Sequence, residues 1–192
     1  MRRVVVTGVG LVSPLGCGSE SIWSKLCSGY GGIVSFDSLD DDSGVREEAR
    51  KMGTDCDIHI GGFVPRGTDE DNFDAKRVFG RHVDKEMAVF TQYAVYAADL
   101  AMKHANLISS DPSSSSSHTI DNTKFGVSIA SGIGAIDDVL DAGKAVEKSH
   151  RRLSPYFVPK ILLNMAGELA MTFEVYRLLH FRIYIYQWFI LT

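Results

Sequence analysis

The sequence has no excess of basic charge and no uninterrupted apolar run long enough to cross a bilayer. Its 192 residues contain 20 Lys and Arg against 24 Asp and Glu, a net charge of −4. Nucleic-acid-binding domains usually present a net basic surface, so this balance disfavours such a role. The most apolar stretch, residues 175–192, contains Arg177, His180 and Arg182, and a membrane helix needs about 20 apolar residues. We therefore expect a soluble protein with no membrane span.

The cysteines and histidines have none of the spacings that hold metals. Cys17, Cys27 and Cys56 include no CxxC pair, and the six histidines form no HxxxH or HExxH pattern. We predict no metal site and no cofactor. The cysteines are expected to pack as small apolar side chains in a reducing compartment.

Two short motifs suggest familiar chemistry but lack required residues. The glycines at 8 and 10 begin a dinucleotide-binding pattern, yet Ser13 stands at the third glycine position and no acidic residue follows at the usual distance. Ser131 lacks the glycines of a hydrolase nucleophile elbow, because Ile129 and Ile133 occupy those places. Dinucleotide binding and hydrolase catalysis through Ser131 are therefore both disfavoured.

Apolar runs predict two buried strands, at residues 4–6 and 125–130, each followed by a glycine turn. Residues 35–72 are acidic and irregular, which favours a solvated surface excursion over a cation-binding loop. Five consecutive serines within 108–123 predict a second, flexible excursion.

Helical periodicity marks the rest of the chain. A helix is predicted over 19–28, with Ser19 as its N-cap and an apolar stripe made of Ile22, Trp23 and Leu26. A second is predicted over 84–106, where repeated alanines indicate close packing against a helix or a sheet. Further helical runs follow SGIG at 131–134 and SPYFVP at 154–159. The first turns of the earlier of these two contain Asp137, Asp138 and Asp141, where carboxylates favour the helix dipole.

Several of these segments together resemble the β-ketoacyl-[acyl-carrier-protein] synthases of the type II elongating class. The similarity begins with RRVVVTGVGLVSPLG at 2–16, continues through WSKL at 23–26 and residues 90–107, and is closest at SGIG and SPYFVP. NMAG at 164–167 is similar to the family's Asn-Met-x-x-Gly segment with one residue missing. The resemblance covers about residues 2–173.

The resemblance implies an α/β architecture, the thiolase-like fold, in which two similar halves stack in α-β-α-β-α layers and the protein is a homodimer. This chain would supply an incomplete N-terminal half over residues 1–173. Residues 174–192 depart from the family and form a hydrophobic tail of high β-propensity, which is typical of aggregation-prone segments.

The family condenses an acyl thioester with malonyl-carrier protein, releasing carbon dioxide, in fatty acid biosynthesis. The acyl group is held on a cysteine at a helix N-terminus, where the thiolate is stabilised, and two histidines serve the decarboxylation. The cysteine's Thr-Ala-Cys segment should follow Met171, but residues 174–192 contain no cysteine, and both family histidines are absent. We therefore predict no catalytic residue in this chain and no activity from it alone.

The resemblance also implies binding residues. Ile133 matches an isoleucine that contacts the acyl chain, and Phe157 matches an aromatic residue that reaches toward the partner's acyl pocket. Arg151 and Arg152 match a basic pair that docks the acidic acyl carrier protein, with Arg81 and Lys85 as weaker matches. A basic patch that steers an acidic partner is compatible with the net charge of −4.

Two alternatives remain open. The chain is either a non-catalytic module that binds carrier protein or a full-length synthase subunit, or the product of a retained intron or mispredicted exon that misfolds because an apolar face is exposed. If the source is eukaryotic, a mitochondrion or plastid is implied, with the presequence not present; otherwise the cytoplasm is.

Overall fold

The computed structural model describes residues 3–36, 59–79, 83–108, 125–163 and 165–173. The helices in this part of the chain are α1 (Ser19–Cys27), α2 (Ala75–Phe79), α3 (Val83–Glu86), α4 (Val89–His104), α5 (Ile136–Lys148), α6 (Phe157–Ile161) and α7 (Met165–Thr172). A 3₁₀ helix, His150–Arg152, lies between α5 and α6. The strands are β1 (Val12–Ser13), β2 (Gly16–Cys17), β3 (Val34–Ser35) and β4 (Ile60–Gly61).

The strands form two small antiparallel ladders. Strand β1 pairs with β2, with Val12 opposite Cys17, and β3 pairs with β4, with Val34 opposite Gly61. The second ladder joins residues 34–35 to residues 60–61. The sequence predicted that residues 35–72 are irregular, and this prediction was wrong at the ladder.

The two predicted buried strands are not formed. Residues 4–6 are exposed valines, and residues 125–130 are irregular and mostly half-buried. A strand exists through ladder hydrogen bonds to a neighbouring strand, and among the described residues neither segment has such a neighbour. The apolar composition expresses a preference for a pleated, buried surface, but the pairing partner must come from elsewhere.

Helix α1 is formed as predicted, but its cap and its stripe differ. Its N-cap is Gly18, with no side-chain cap, and Ser19 is the first helical residue. Ile22 is buried, whereas Trp23 and Leu26 are 66% and 54% exposed, so the predicted stripe was wrong at two of three positions.

Polar contacts hold α1 in place instead. The Ser21 hydroxyl donates to Asp71 Oδ2 at 2.7 Å, and Lys25 Nζ donates to the Leu15 carbonyl at 2.9 Å. Lys25 Nζ also lies 3.3 Å from Asp71 Oδ2. Because these bonds orient the helix, its apolar residues need not all face the core.

The predicted helix over 84–106 is interrupted at Met87 and Ala88, which separate α3 from α4. Its alanines make the close contact that was predicted. A Cβ added at Gly8 or Gly10 would overlap the carbonyl oxygens of Ala101 and Ala97. The two N-terminal glycines therefore let the extended chain lie directly on α4, which is a packing role.

The core divides into two clusters along α4. The first contains Cys17, Phe73, Tyr93 and Tyr96. Phe73 meets the Tyr93 ring edge-on, with centroids 4.8 Å apart, a favoured aromatic geometry. The second cluster contains Ala88, Phe90, Ala94 and Met165, with Ile129 and Ala135 against it. It fixes α7 and the start of α5 to α4.

Several predictions lie outside the described residues. They are the acidic run at 37–58 with Cys56, most of the serine-rich segment, Arg81, and the tail at 174–192. The division of the chain at residue 173 stays a prediction.

Candidate functional site

The turn at 131–134 brings the predicted acyl-contact residue Ile133 to the surface. Ile133 is 62% exposed and comes three residues before α5. Gly134 has φ +80°, a conformation that glycine adopts without strain, and a Cβ there would lie 2.7 Å from Leu163 Cδ2. The turn is therefore packed directly against Leu163, two residues beyond the end of α6.

Phe157, the second predicted acyl-contact residue, is half-buried at the start of α6. The Ser154 side chain accepts from the Tyr156 N–H at 3.2 Å, and the Ser154 carbonyl accepts from the Phe157 N–H at 3.1 Å. Pro159 falls in the first turn of α6, where a missing N–H costs nothing because no intrahelical partner exists for it. SPYFVP thus encodes a turn that opens directly into a helix.

An ion pair joins α5 to α6, and we call the surface formed by the turn at 131–134 with these two helices the wall. Lys160 Nζ on α6 lies 2.6 Å from Asp138 Oδ1 on α5, and the side chains are only 17% and 28% exposed. The sequence assigned Asp138 to the helix dipole alone. Helical periodicity relates residues three or four positions apart, whereas Asp138 and Lys160 are 22 positions apart. The sequence pattern therefore could not indicate this contact.

The predicted carrier-docking residues are placed in two separate regions. Arg151 and Arg152 are exposed on the 3₁₀ helix, which packs on α5 and is capped by the Ser149 hydroxyl, 3.3 Å from the Arg151 N–H. Lys85 is exposed on α3, which contacts α2. The arginine pair thus follows the C-terminal end of α5, whereas Ile133 precedes its N-terminal end.

The described thiols have no setting suited to a nucleophile. Cys17 is buried in the first core cluster, and burial raises the pKa of its thiol to about 11, despite opposing effects of Arg77 and Lys25. A reactive cysteine needs the opposite shift. Cys27 is exposed at the C-terminal end of α1, where the helix dipole does not stabilise a thiolate.

A shallow cavity of about 360 Å³ lies at the start of α1, between Val9, Asp71, Leu100 and His104. A hydrogen bond from Ser21, with a further contribution from Lys25, lowers the pKa of the Asp71 carboxyl. His104 Nδ1 accepts from the Val9 N–H at 3.0 Å. None of the predicted site residues lines this cavity.

The part of the chain that the structure describes contains neither a metal-binding cluster nor a membrane-spanning helix. In that part of the chain, no group of three or more His, Cys, Asp or Glu side chains is arranged to hold a metal ion. Over the same ranges, no helix has the length and apolar character needed to span a membrane.

Comparison with known proteins matches residues 1–176 to the family described as "Beta-ketoacyl synthase, N-terminal domain". The mitochondrial 3-oxoacyl-[acyl-carrier-protein] synthase of Arabidopsis thaliana is 38% identical over 176 residues, which cover 90% of this chain. The 3-oxoacyl-[acyl-carrier-protein] synthase 2 of Rhizobium meliloti is 35% identical over 169 residues, or 87% of this chain. The chain spans 36% of the length of each.

Solved structures of ketosynthases are similar to this chain in fold. The ishigamide ketosynthase/chain length factor matches with a TM-score of 0.67 at 19% identity, covering 95% of this chain and 40% of the other. A β-ketoacyl synthase from Burkholderia phymatum matches with a TM-score of 0.65 at 19% identity, over 91% of this chain and 38% of the other. At this identity the likeness concerns the fold alone, and it confirms the predicted thiolase-like α/β class over the N-terminal part of that fold.

Proposed function

Because this chain belongs to the β-ketoacyl synthase family, through the N-terminal domain of that family, we propose that it forms the N-terminal lobe of a 3-oxoacyl-[acyl-carrier-protein] synthase. The proposed reaction is the decarboxylative Claisen condensation of an acyl thioester with malonyl-carrier protein in fatty acid biosynthesis. The observation that carries the proposal is the match over residues 1–176, together with the names of the two relatives.

In the proposed reaction, the lobe supplies a wall for the acyl chain. Ile133 offers an exposed apolar side chain, and Phe157 stands half-buried on the neighbouring helix. The Asp138–Lys160 ion pair and the Gly134–Leu163 contact keep the two helices in one arrangement. A wall fixed in this way can orient an apolar chain without reorganising when it binds.

We propose that the 192 residues alone do not catalyse condensation. A thioester-forming cysteine must ionise easily, and burial moves the Cys17 pKa in the opposite direction. A condensation assay on the purified chain, with acyl- and malonyl-carrier protein, tests this. Turnover above that of a boiled sample would contradict it.

The proposed partner is an acidic acyl carrier protein that docks on Arg151 and Arg152, with Lys85 and Arg81 in secondary roles. Support comes from the exposure of the arginine pair on the 3₁₀ helix, which packs on α5. One further solved neighbour, 19% identical over 91% of this chain and 40% of the other with a TM-score of 0.59, is described as a type II PKS acyl-carrier protein in complex with its ketosynthase. Charged residues at the edge of an interface act mainly on association rate and salt dependence.

The docking experiment compares two charge reversals that change the net charge equally. Arg152→Glu should weaken binding of fluorescently labelled acyl carrier protein by about tenfold, since it replaces an attraction by a repulsion. Arg3→Glu, at an exposed position outside both docking regions, should leave the affinity unchanged. Equal losses in both variants would reduce the effect to net charge and contradict a docking site on the 3₁₀ helix.

Two other hypotheses have distinct outcomes. A non-catalytic module would bind carrier protein or a full-length synthase without turnover, and failure to co-purify with either would exclude it. A mis-spliced product would misfold, and it would lack cooperative unfolding. Because the names of two relatives, from Arabidopsis thaliana and Schizosaccharomyces pombe, include the word mitochondrial, we also propose a mitochondrion for a eukaryotic source.

A further inference from the structure

The segment between α5 and α6 places an exposed hydroxyl directly after two basic side chains. Its sequence is HRRLSPY at 150–156, and all seven residues are exposed. Ser154 follows Arg151 by three positions and Arg152 by two. Because consecutive Cα atoms are about 3.8 Å apart, the Arg152 Cα lies within about 8 Å of the Ser154 Cα, a distance that an extended arginine side chain can cover.

The two guanidinium groups are available to a partner. In the part of the chain that the structure describes, neither has an ion pair or a hydrogen bond, and the contacts of both residues run through their backbone N–H groups. Arg151 N–H donates to the Ser149 hydroxyl, and Arg152 N–H donates to the Ser149 carbonyl. Their positive charge is therefore directed to solvent.

The backbone before Ser154 is extended and lightly held. Leu153 has φ −65° and ψ 129°, and Pro155 biases Ser154 itself towards an extended conformation. The 3₁₀ helix that precedes them is closed by backbone bonds of 3.0 and 3.4 Å, and hydrogen-bond geometry in such helices is poor. An exposed segment with few bonds opens locally at low cost, so an enzyme can bind it in an extended form.

The Ser154 hydroxyl can carry a larger group without loss of the turn. Its oxygen accepts one hydrogen bond, from the Tyr156 N–H at 3.2 Å. A phosphate attached to this oxygen has three acceptor oxygens of its own, which can take the same hydrogen bond. The turn before α6 is therefore compatible with modification at this position.

We propose that Ser154 is a phosphorylation site for a protein kinase that recognises basic residues on the N-terminal side of its target serine. Acidic side chains in the substrate groove of such an enzyme match the two guanidinium groups. In the transfer, Ser154 Oγ forms a bond to the γ-phosphorus of a nucleoside triphosphate, and the bond from that phosphorus to the bridging oxygen breaks. The nucleoside diphosphate leaves, and a carboxylate of the kinase accepts the hydroxyl proton.

The phosphate would act on the docking residues, and this consequence rests on the proposed function. A phosphoserine has a charge of about −1.5 to −2 at pH 7 and forms charge-assisted hydrogen bonds with arginines. It therefore offsets the two positive charges of Arg151 and Arg152. It also competes for their guanidinium groups with the acidic side chains of the carrier protein. Phosphorylation of Ser154 should switch docking off.

The first experiment incubates the full 192-residue chain with ATP and the catalytic subunit of cAMP-dependent protein kinase, which selects arginines before its target serine. Peptide mass spectrometry should find phosphate at Ser154 and not at Ser149, which precedes the arginines as the N-cap of the 3₁₀ helix. Arg151→Ala with Arg152→Ala should lower the rate by more than about tenfold. No phosphate at Ser154, or equal incorporation at both serines, would overturn the proposal.

Substitutions at position 154 keep the result independent of folding. Ser154→Ala removes the acceptor oxygen and should take up no phosphate at this position, whereas Ser154→Thr keeps a hydroxyl and should be modified. Circular dichroism shows whether each variant retains the helices of the unaltered chain. Total phosphate uptake by Ser154→Ala equal to that of the unaltered chain would place the modification elsewhere and refute the assignment.

A second measurement tests the effect on docking. The phosphorylated chain should bind fluorescently labelled acyl carrier protein about tenfold more weakly, and phosphatase treatment should restore the affinity. Kinase-treated Ser154→Ala should keep its affinity, and unchanged binding by the chain phosphorylated at Ser154 would overturn the switch. The phosphate mapping needs no carrier protein. Failure of Arg152→Glu to weaken docking would therefore contradict the proposed function and leave the modification site in place.

Discussion

The ion pair between Asp138 and Lys160 should stabilise the wall more than a pair of the same length within one helix. Its N···O distance is 2.6 Å, and it joins two helices through side chains that are 28% and 17% exposed. Exposed pairs contribute about 0.2–1 kcal/mol, and removing one partner of a fully buried pair costs about 3–5 kcal/mol. For this partly buried pair, we expect a coupling free energy of about 1–2 kcal/mol.

A double-mutant cycle measures that coupling. Asp138→Asn, Lys160→Met and the combined variant are compared by urea unfolding at one protein concentration, followed by far-UV circular dichroism. The control cycle uses Asp99 and Lys103, whose N···O distance is also 2.6 Å but which both lie in α4. This local pair should give a coupling free energy of only about 0.3–0.5 kcal/mol.

Hydrogen exchange supplies a local measurement for the same variants. Loss of the Asp138 charge should increase exchange at the amides of α6, because Lys160 is then left partly buried without its partner. Amides of α1 should be unaffected. A coupling free energy no larger than that of the Asp99–Lys103 cycle, or equal exchange in both helices, would refute the reasoning that this pair fixes α6 on α5.

Backbone contact and burial at single residues give two further expectations. Gly10→Ala should destabilise the fold by about 2 kcal/mol or more in urea unfolding, because its Cβ would overlap the Ala97 carbonyl, while Gly31→Ala should not; equal midpoints would contradict the contact. Cys17 keeps its proton in the folded state up to a pKa of about 11, against 9.0 for an ordinary thiol. The free energy of unfolding should therefore fall by roughly 1–3 kcal/mol as the pH rises from about 9 to 11. In Cys17→Ala, the free energy of unfolding should fall less over this pH range, because the thiol whose pKa differs between the folded and unfolded states is absent. Below pH 9, a thiol reagent should modify Cys27 and spare Cys17.

Local patterns predicted the helices well. The periodicity over 84–106 predicted the helical region that contains α3 and α4, and the turn motifs predicted helices at α5 and α6. Such predictions succeed because helical hydrogen bonds connect residues close in sequence. The repeated alanines also indicated close packing, and Gly8 and Gly10 contact α4 at Ala101 and Ala97. What the sequence could not supply was the identity of the surface being packed.

Contacts between distant residues explain the predictions that failed. Residues 4–6 and 125–130 have the composition of strands, but a strand also needs a partner, and its identity is a tertiary property. The same holds for α1, where Ser21 and Lys25 contact Asp71, 50 and 46 positions away, and orient Trp23 outward. Periodicity alone predicts an apolar stripe on α1, but it cannot predict hydrogen bonds and ion pairs to a distant residue such as Asp71.

Helix α5 shows, within a single element, the difference between what local sequence patterns predict and what contacts between distant residues decide. Its sequence specifies an apolar face, which periodicity would assign to the interior. The structure instead places Asp138 against Lys160 and leaves Val139 and Leu140 outside. Periodicity identifies such a face, but only the structure can show whether the chain itself covers it.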